Sequence, residues 1–339
     1  MTIKDIAREA GCSVSTVSRV LSGRPDVSPA TRERVQALIA ERRFSPNNNA
    51  QRLKQQESRT VCAIVKGTSN ALFASLLEHL QNRIEEAGYT AAVSYLDEEA
   101  DELEAARLAC REAHPCGLFF LGASRALFQE RFSQIHVPAV LLTASAQGMG
   151  FPNLSSVCTD DAAAAQAAMD FLLRQGRRRV AIIGGSLELS DVSRLRLEGC
   201  RRSLEAHGLS FAQDCRYETA RFSLGSAHRA MGRLLASFPQ TDAVFCMSDL
   251  MALGAMRALF DSGRTVPGDV SLMGFDGIPM SRYSVPRLAT VQQDAPQIAA
   301  RGMALLRRAM EGLGPAVYET VPFSILPGES VRPGEGFHK

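Results

Sequence analysis

Polar residues suited to bonding hydroxyl groups follow three apolar runs in the second half of the sequence. Arg196 comes after VAIIG and a short polar stretch, Asp249 comes just after AVFCM, and Asp276 comes directly after VSLMGF. An arginine fork and carboxylates pair with neighbouring hydroxyls, and an aromatic face can cover the C–H surface of a sugar. The pattern therefore indicates a site that binds a polyol.

Catalytic chemistry finds little support in the same sequence. The six histidines show no H-E-x-x-H or comparable spacing, and neither a G-x-S-x-G nor a phosphate-loop motif occurs. The eight cysteines include no C-x-x-C pair, so we expect reduced, buried thiols and neither a metal site nor a cofactor. An α/β enzyme that uses the carboxylates stays open as the alternative, and hydrolysis of a sugar would support it.

Short apolar runs alternate with amphipathic stretches from residue 60 onward. We expect strands at 61–65, 91–96, 117–122, 139–142, 180–184, 243–247 and 270–275. We expect helices at 76–87, 162–175, 196–207, 227–237 and 249–262. This alternation is typical of an α/β fold, here a two-lobed body with two parallel sheets covered by helices. Ligands of such sheets bind beyond the carboxyl ends of the strands, so the lobes would enclose a ligand between them.

The first 60 residues have a different, all-α pattern. Thr2 begins a capping box for a helix over about 3–10, Ser13 caps a second helix over about 14–21, and a Ser-Pro pair starts a third over 28–43. Two helices joined by such a tight turn form a helix-turn-helix, whose second helix can enter the major groove of DNA.

Basic charge is concentrated in this head. Residues 1–60 contain 11 Lys and Arg against 6 Asp and Glu, whereas the remaining residues contain 27 against 30. This asymmetry is expected if the head meets phosphates, although a solvated basic face would look similar. The stretch NNNAQRLK at 47–54 follows a helix-start signal but has low helix propensity, so something external must order it.

The chain resembles the LacI/GalR (lactose-repressor and galactose-repressor) family of transcription regulators in TIKDIAREAGCSVSTVSRVLSG, VSPATRERV and FSPNNNAQRLK. The resemblance implies that the second helix reads the major groove and that a hinge helix folds only on operator DNA. Val14, Ser15 and Arg19 would then face bases, and Ala50 would lie in the minor groove. Leu53 would be the apolar wedge that opens the central base step.

Further DNA-binding residues expected from the resemblance are Thr2, Ser13, Thr16, Ser18, Asn47 and Lys54. Thr16 and Ser18 carry short hydroxyls suited to phosphates, which position the protein without specifying the base sequence. The alternatives are a solvated helix charge for Arg19 and a core position in a linker helix for Leu53.

The family's effector-binding marks also occur: R-L-x-G, S-D before a helix, G-F-D and RFSLGS. They imply the effector-binding residues Phe73, Asp160, Arg196, Phe222, Ser248, Asp249 and Asp276. Asp160 equally suits a helix start, Asp249 suits a helix cap, and Phe222 suits a core. The expected effector is a sugar, with pentose, hexose, disaccharide and purine all compatible, and it acts as inducer or corepressor.

The expected organisation is a helix-turn-helix domain at 1–45, a hinge helix and linker at 46–59, and an effector-binding and dimerisation domain at 60–339. Its periplasmic-binding-protein-like body would comprise lobe 1 (60–158 and 292–321) and lobe 2 (159–291 and 322–333). One short recognition helix needs a two-fold partner to read a pseudo-palindromic operator, which predicts a homodimer.

The cellular location follows from hydropathy. Neither an apolar run near ~18 residues nor an apolar N-terminal signal occurs, so we expect a cytoplasmic, nucleoid-associated protein without membrane contact. A transport-type sugar-binding protein is the other rival with a two-lobed body, but it predicts a signal peptide and no helical head.

The wedge assignment predicts the effect of Leu53→Ala. This change should weaken specific operator binding by about tenfold or more, because the opened base step is no longer filled, while effector affinity stays unchanged. Fluorescence anisotropy with a selected pseudo-palindromic duplex measures the effect, with Gln56→Ala as the control in the same segment. Equal operator affinity in Leu53→Ala and wild type would refute the wedge.

Overall fold

The computed structural model describes residues 3–13, 16–17, 20, 27–41, 59–68 and 70–333. The chain divides into two compact units, Met1–Ser58 and Arg59–Lys339. Nowhere in the described part is a helix long and apolar enough to cross a membrane.

The first unit, the head, contains helices α1 (Ile3–Glu9) and α2 (Pro29–Glu41). Gly11 ends α1 with a φ of 62°, a conformation that glycine adopts without steric cost. The Ser13 hydroxyl accepts a hydrogen bond from the Thr16 amide at 3.1 Å, as expected of a helix cap. The head core is made of Ile6, Ala7, Ala10, Val17, Val20 and Val35.

Most of the expected DNA-binding residues lie outside the described part of the chain: Thr2, Val14, Ser15, Ser18, Arg19, Asn47, Ala50, Leu53 and Lys54. Ser13 and Thr16 are described. Ser13 is exposed and Thr16 is half-buried, and their hydroxyls lie 2.8 Å apart.

The second unit, the body, holds two six-stranded sheets. Sheet A consists of β1 (Thr60–Lys66), β2 (Thr90–Leu96), β3 (Gly117–Leu121), β4 (Ala139–Leu142), β5 (Leu154–Thr159) and β11 (Tyr318–Val321). Sheet B consists of β6 (Val180–Gly184), β7 (Cys215–Thr219), β8 (Ala243–Cys246), β9 (Ser271–Asp276), β10 (Ala289–Gln293) and β12 (Phe323–Leu326). The strand orders are β11-β5-β4-β3-β1-β2 and β12-β10-β9-β8-β6-β7.

All neighbours in sheet A are parallel, and in sheet B only β12 runs antiparallel to its neighbour. In each sheet the direction in which successive strands are added reverses at the strand that comes first in the chain. The reversal lies between β1 and β3 in sheet A and between β6 and β8 in sheet B. Ligands of open parallel sheets bind beyond the strand ends at this switch point.

Seven helices of eleven residues or more cover the sheets, together with the shorter α5 (Arg125–Arg131), in the described body. Helices α3 (Ala71–Glu86) and α4 (Glu102–Glu112) follow β1 and β2 of sheet A. The others are α6 (Asp161–Arg174), α7 (Asp191–Ala206), α8 (Leu224–Ser237), α9 (Asp249–Asp261) and α10 (Ala295–Met310). Short helical turns occur at Phe132–Gln134, Phe211–Asp214 and Pro279–Arg282.

Two separate apolar clusters lie on the two faces of sheet A. Val61 and Val65 of β1 belong to the cluster with α3 and α10, whereas Ile64 belongs to the cluster with Phe128 and Phe132. Because successive strand residues point to opposite faces, a strand buried on both faces must be apolar throughout, as β3 is.

The expected fold class is confirmed: an α/β body with two mainly parallel sheets and a helical head. The structure adds strands β5, β7, β10, β11 and β12 and helices α4, α5 and α10, which the patterns did not predict. Helices α3 and α7 each begin five residues earlier than expected, because Asn70 caps α3 and Ser190 caps α7. Arg196 therefore lies in the second turn of α7. Five of the eight free cysteines are buried, and Cys12, Cys110 and Cys116 are partly exposed.

The chain passes between the two sheets three times. The crossings lie at 159–161, 293–295 and 321–323, after β5, β10 and β11. Helix α10 follows β10 of sheet B but packs on α3, β4 and β5 of sheet A.

Gly199 lets α6 and α7 approach each other closely. A Cβ atom at Gly199 would lie 2.0 Å from the Ala162 carbonyl oxygen, so a side chain there must push the helices apart. Gly232 on α8 is a helix glycine with open space around it. The glycine of the R-L-x-G motif is thus explained by packing.

Gly199→Ala is expected to destabilise the body by about 1–3 kcal/mol, because backbone atoms cannot move aside as a flexible side chain can. Gly232→Ala should be neutral or stabilise by up to about 1 kcal/mol, since alanine favours helix. Thermal unfolding midpoints measure both changes. A Gly199→Ala midpoint at or above that of Gly232→Ala would contradict the packing argument.

Candidate functional site

A cleft of about 1040 Å³ lies between the carboxyl ends of the two sheets. Its lining includes residues just after β1, β2, β3 and β4 of sheet A, and residues at or after the ends of β6, β7, β9 and β10 of sheet B. The cleft therefore lies where the strand order of both sheets predicts a ligand.

Arg196 forms part of the sheet B side of the cleft and is 95% buried. Its Nε donates to Asp161 Oδ1 at 2.8 Å, and its Nη1 donates to the Met247 carbonyl oxygen. The guanidinium carbon lies 3.6 Å from the ring centroid of Phe275. Burial raises the pKa of the Asp161 carboxyl, and the Arg196 charge opposes this rise.

Asp276 ends β9 and is buried beside Arg196 in the cleft wall. Its Oδ1 accepts a hydrogen bond from Gln293 Nε2 at 3.0 Å. Burial raises the pKa of Asp276 to about 7, against the lowering effects of Arg196 and Gln293. Its φ of 112° is unusual for a residue other than glycine, and such backbone strain is often found at functional sites.

Two phenylalanine rings line the cleft. Phe73 on α3 is largely buried and lies against Gly122, where a Cβ atom would come within 3.1 Å of the ring. Phe222 is half-buried, packs against the sheet B core and also lines the cleft. Both rings can cover an apolar ligand surface.

Charged groups join the two sides of the cleft. Arg221, just after β7, donates to both carboxylate oxygens of Asp97 at 2.7 Å and to Glu98 Oε1 at 2.6 Å. Both acids follow β2 of the opposite sheet. A second link joins the Arg125 amide to Asp191 Oδ2 at 3.0 Å.

Three of the seven expected effector-binding residues do not line the cleft: Asp160, Ser248 and Asp249. The first two are helix caps, accepting hydrogen bonds from the Ala163 and Met251 amides. Asp249 is fully buried, where it accepts from the Thr290 hydroxyl at 2.6 Å and the Ile278 amide at 2.8 Å.

The oxygens of these three residues serve backbone caps and links between elements, and effector contact at these positions stays a prediction. Burial raises the pKa of Asp249 well above its usual range. The other four, Phe73, Arg196, Phe222 and Asp276, come together in the cleft.

The sequence analysis did not identify several polar residues of the cleft: Lys66, Asp97, Glu98, Arg221 and Gln293. Lys66, Asp97 and Arg221 occur at or within two residues of a strand end. The strand-end rule could therefore have found them, had β7 been recognised. Gln293 could be identified only from the pairing of β10 with β9, which places the neighbouring Gln292 beside Asp276.

The described ranges contain no set of three or more His, Cys, Asp or Glu side chains placed to hold a metal ion.

The model of bacterial regulatory proteins of the lacI family matches residues 2–47, and that of the periplasmic binding protein-like domain matches residues 169–331. The HTH-type transcriptional regulator MalR of Clostridium butyricum is 35% identical over 313 residues, covering 90% of this chain and 92% of the relative.

Two solved structures are similar over almost the whole chain. A complex of the transcriptional regulator CelR with cellobiose has a TM-score of 0.71 and 28% identity, covering 97% of this chain and 99% of that one. The Lac repressor dimer bound to operator and the anti-inducer ONPF has a TM-score of 0.72 and 25% identity, covering 97% and 98%. These findings confirm the family resemblance seen in the sequence.

The buried Asp276 predicts how stability depends on pH. The folded state holds the Asp276 proton more tightly than the unfolded chain, whose pKa is near the usual 3.8, so this stabilisation is complete below about pH 4 and is lost as the pH rises through about 7. From pH 6 to 8 the wild type should lose about 1 kcal/mol, or about 2 °C in Tm, relative to Asp276→Asn.

Asp269→Asn is the control, because hydrogen bonds from Thr265 lower the pKa of Asp269 and keep it ionised between pH 6 and 8. Its Tm difference from wild type should be the same at both pH values. A similarly constant difference for Asp276→Asn would contradict the raised pKa.

Proposed function

The chain belongs to the lacI family of bacterial regulatory proteins, and we propose that it is a homodimeric repressor whose affinity for operator DNA is set by a sugar bound in the cleft. It acts in the cytoplasm on the nucleoid and is not an enzyme. The described residues of the cleft are of the types that recognise hydroxyls, and no nucleophile paired with a base occurs among them.

One observation carries the proposal: Arg196 and Asp276 lie together in one wall of a cleft that also contains two aromatic rings. Polar groups fix the orientation of hydroxyls, while the rings of Phe73 and Phe222 cover the apolar face of a sugar. The similarity to a regulator solved with cellobiose supports a sugar as the ligand.

The head supplies DNA binding in this proposal. Residues 1–45 form the helix-turn-helix domain, in which Val14, Ser15 and Arg19 face bases and Thr16 and Ser18 face phosphates. The segment 46–59 is the hinge, whose helix forms on the operator and inserts Leu53, with Ala50 in the minor groove.

A homodimer fits the exposed apolar side chains of the body. Phe260, Tyr283 and Val285 are 70%, 85% and 93% exposed in the single chain. Large apolar side chains exposed to this degree favour burial against a partner. The similarity to a Lac repressor dimer on its operator supports two copies of this chain as the DNA-binding species.

The cleft can control the DNA through the relative position of the two lobes. Three chain crossings connect the two sheets. A ligand that prefers one relative position of the lobes shifts the population toward that position. The sign of control follows from which arrangement binds the operator more tightly.

An operator selected from a random DNA library provides the test. At least one neutral pentose, hexose or disaccharide should change operator affinity, as measured by fluorescence anisotropy, and should raise the Tm. Arg196→Lys keeps the charge beside Asp161 but loses the planar fork, so the sugar concentration for half effect should rise about tenfold or more, while operator affinity without sugar is kept.

Arg201→Lys is the matched control, since Arg201 lies on the same helix, with its guanidinium carbon 4.6 Å from the Phe211 ring centroid and away from the cleft. It should respond to sugar as the wild type does. An unchanged sugar response in Arg196→Lys would refute the site, and hydrolysis of the sugar would refute the function.

A further inference from the structure

The charged side chains around the cleft indicate which class of sugar the cleft binds. We infer that the cleft takes an uncharged polyhydroxylated ligand and discriminates against ligands that carry a carboxylate or a phosphate. This inference rests on the proposed function of the cleft as the effector site and narrows the class of effector.

Carboxylates outnumber cations in the cleft lining. The lining carboxylates are Asp97, Glu98, Glu99, Asp101 and Asp276, and the lining cations are Lys66, Arg196, Arg221 and Arg229. Two more carboxylates, Glu102 and Asp161, lie behind the lining and bond to two of these cations. Like charges disfavour one another, and most strongly where water is excluded, so the buried Glu102 and Asp161 oppose the entry of an anion more than the exposed Asp97 and Glu99 do.

The two inner cations are held by buried carboxylates. Lys66 Nζ lies 2.7 Å from Glu102 Oε2, and the Glu102 side chain is completely buried. Arg196 is bonded to Asp161, which is also buried. A buried carboxylate cannot move into water when its partner turns to another anion, and leaving it unpaired is costly. Neither cation is therefore available to bind an anionic ligand strongly.

The third cation, Arg221, is held by two carboxylates at once. Asp97 accepts from it through both oxygens, and Glu98 accepts through one, at 2.6–2.7 Å. Both Asp97 oxygens accept from Nη2 and the Glu98 oxygen accepts from Nε, and hydrogen bonds between two charged groups are stronger than those between neutral groups. Since Arg221 and its two partners belong to opposite sides of the cleft, an anion that took Arg221 would also break the link between the sides.

Arg229 is the remaining cation, and it forms no ion pair with any residue that the structure describes. It lies on α8 and is exposed. Water and salt weaken an exposed charge contact so much that it changes affinity by only about a few-fold. This gain is small against the repulsion from the surrounding carboxylates.

Neutral hydroxyls suit the inner wall better than an anion does. Asp276 has a pKa of about 7, so near neutral pH its carboxyl group exists in both forms and can donate or accept a hydrogen bond. A sugar hydroxyl can do the same. It can therefore pair with Asp276 in either form, whereas a ligand carboxylate would face an acceptor when Asp276 is ionised.

Matched sugars test the inference on the full-length dimer without DNA. The probes are glucose against glucuronate and glucose 6-phosphate, galactose against galacturonate, and cellobiose and ribose as further neutral sugars, measured by titration calorimetry and Tm shift. At least one neutral sugar should bind, and its anionic counterpart should bind about tenfold or more weakly. For cellobiose and ribose, which have no counterpart in the panel, every anion of the panel should bind about tenfold or more weakly.

The outcomes separate the two proposals. An anionic sugar that binds as tightly as the neutral ones, or more tightly, overturns the neutral-ligand inference while leaving the sugar-sensing function standing. Binding of none of these sugars counts against both.

A double variant tests the cause. Asp97→Asn with Glu98→Gln releases the Arg221 charge and removes two lining carboxylates, so affinity for glucuronate relative to glucose should rise about tenfold. Glu218→Gln is the control. It releases Arg233, whose Nε donates to Glu218 Oε1 at 2.5 Å, and neither residue lines the cleft. An unchanged ratio in the double variant, or an equal rise in Glu218→Gln, would overturn the role of Arg221.

Discussion

The Arg196 guanidinium is largely buried, between the Asp161 carboxylate, the Met247 carbonyl oxygen and the ring of Phe275. A charge in this position must keep its partners, since breaking such a buried pair costs about 3–5 kcal/mol. Through these contacts one side chain of α7 fixes the start of α6 and the ends of β8 and β9. Asp276 is placed beside it, so the sheet B wall of the cleft is largely set by this interaction.

The fold follows from the sequence wherever strands are apolar throughout. All five residues of β3 are apolar or glycine, and this strand was predicted within one residue. Strand β5 was missed because Ser155 and Ser156 interrupt its apolar pattern. Both serines are buried, and their hydroxyls accept hydrogen bonds from the Val317 and Ala146 amides. A partner 162 residues away cannot be seen in a local pattern, so burial of such polar residues is set by tertiary structure alone.

The site was predictable only in part. Arg196 and Asp276 were found because residue type, strand-end position and family resemblance agreed. Asp249 had the same signals but serves as a buried link, since a carboxylate at a helix start satisfies backbone amides as readily as ligand hydroxyls. Gln293 and Arg221 depend on strand pairing and on the approach of the two sheets, which no single segment of sequence reveals. Arg221, with its partners Asp97 and Glu98, carries much of the charge on which the proposed selectivity depends.

The central claim is that the cleft and the operator-binding head share one conformational equilibrium. The most direct measurement compares the affinity of the full-length dimer for its neutral sugar with and without saturating operator, and its affinity for the operator with and without saturating sugar. Thermodynamic linkage requires both ratios to equal the same factor, for which we predict about 5–150. A sugar affinity that operator DNA leaves unchanged would contradict the account, because the cleft would then bind its ligand without controlling DNA binding.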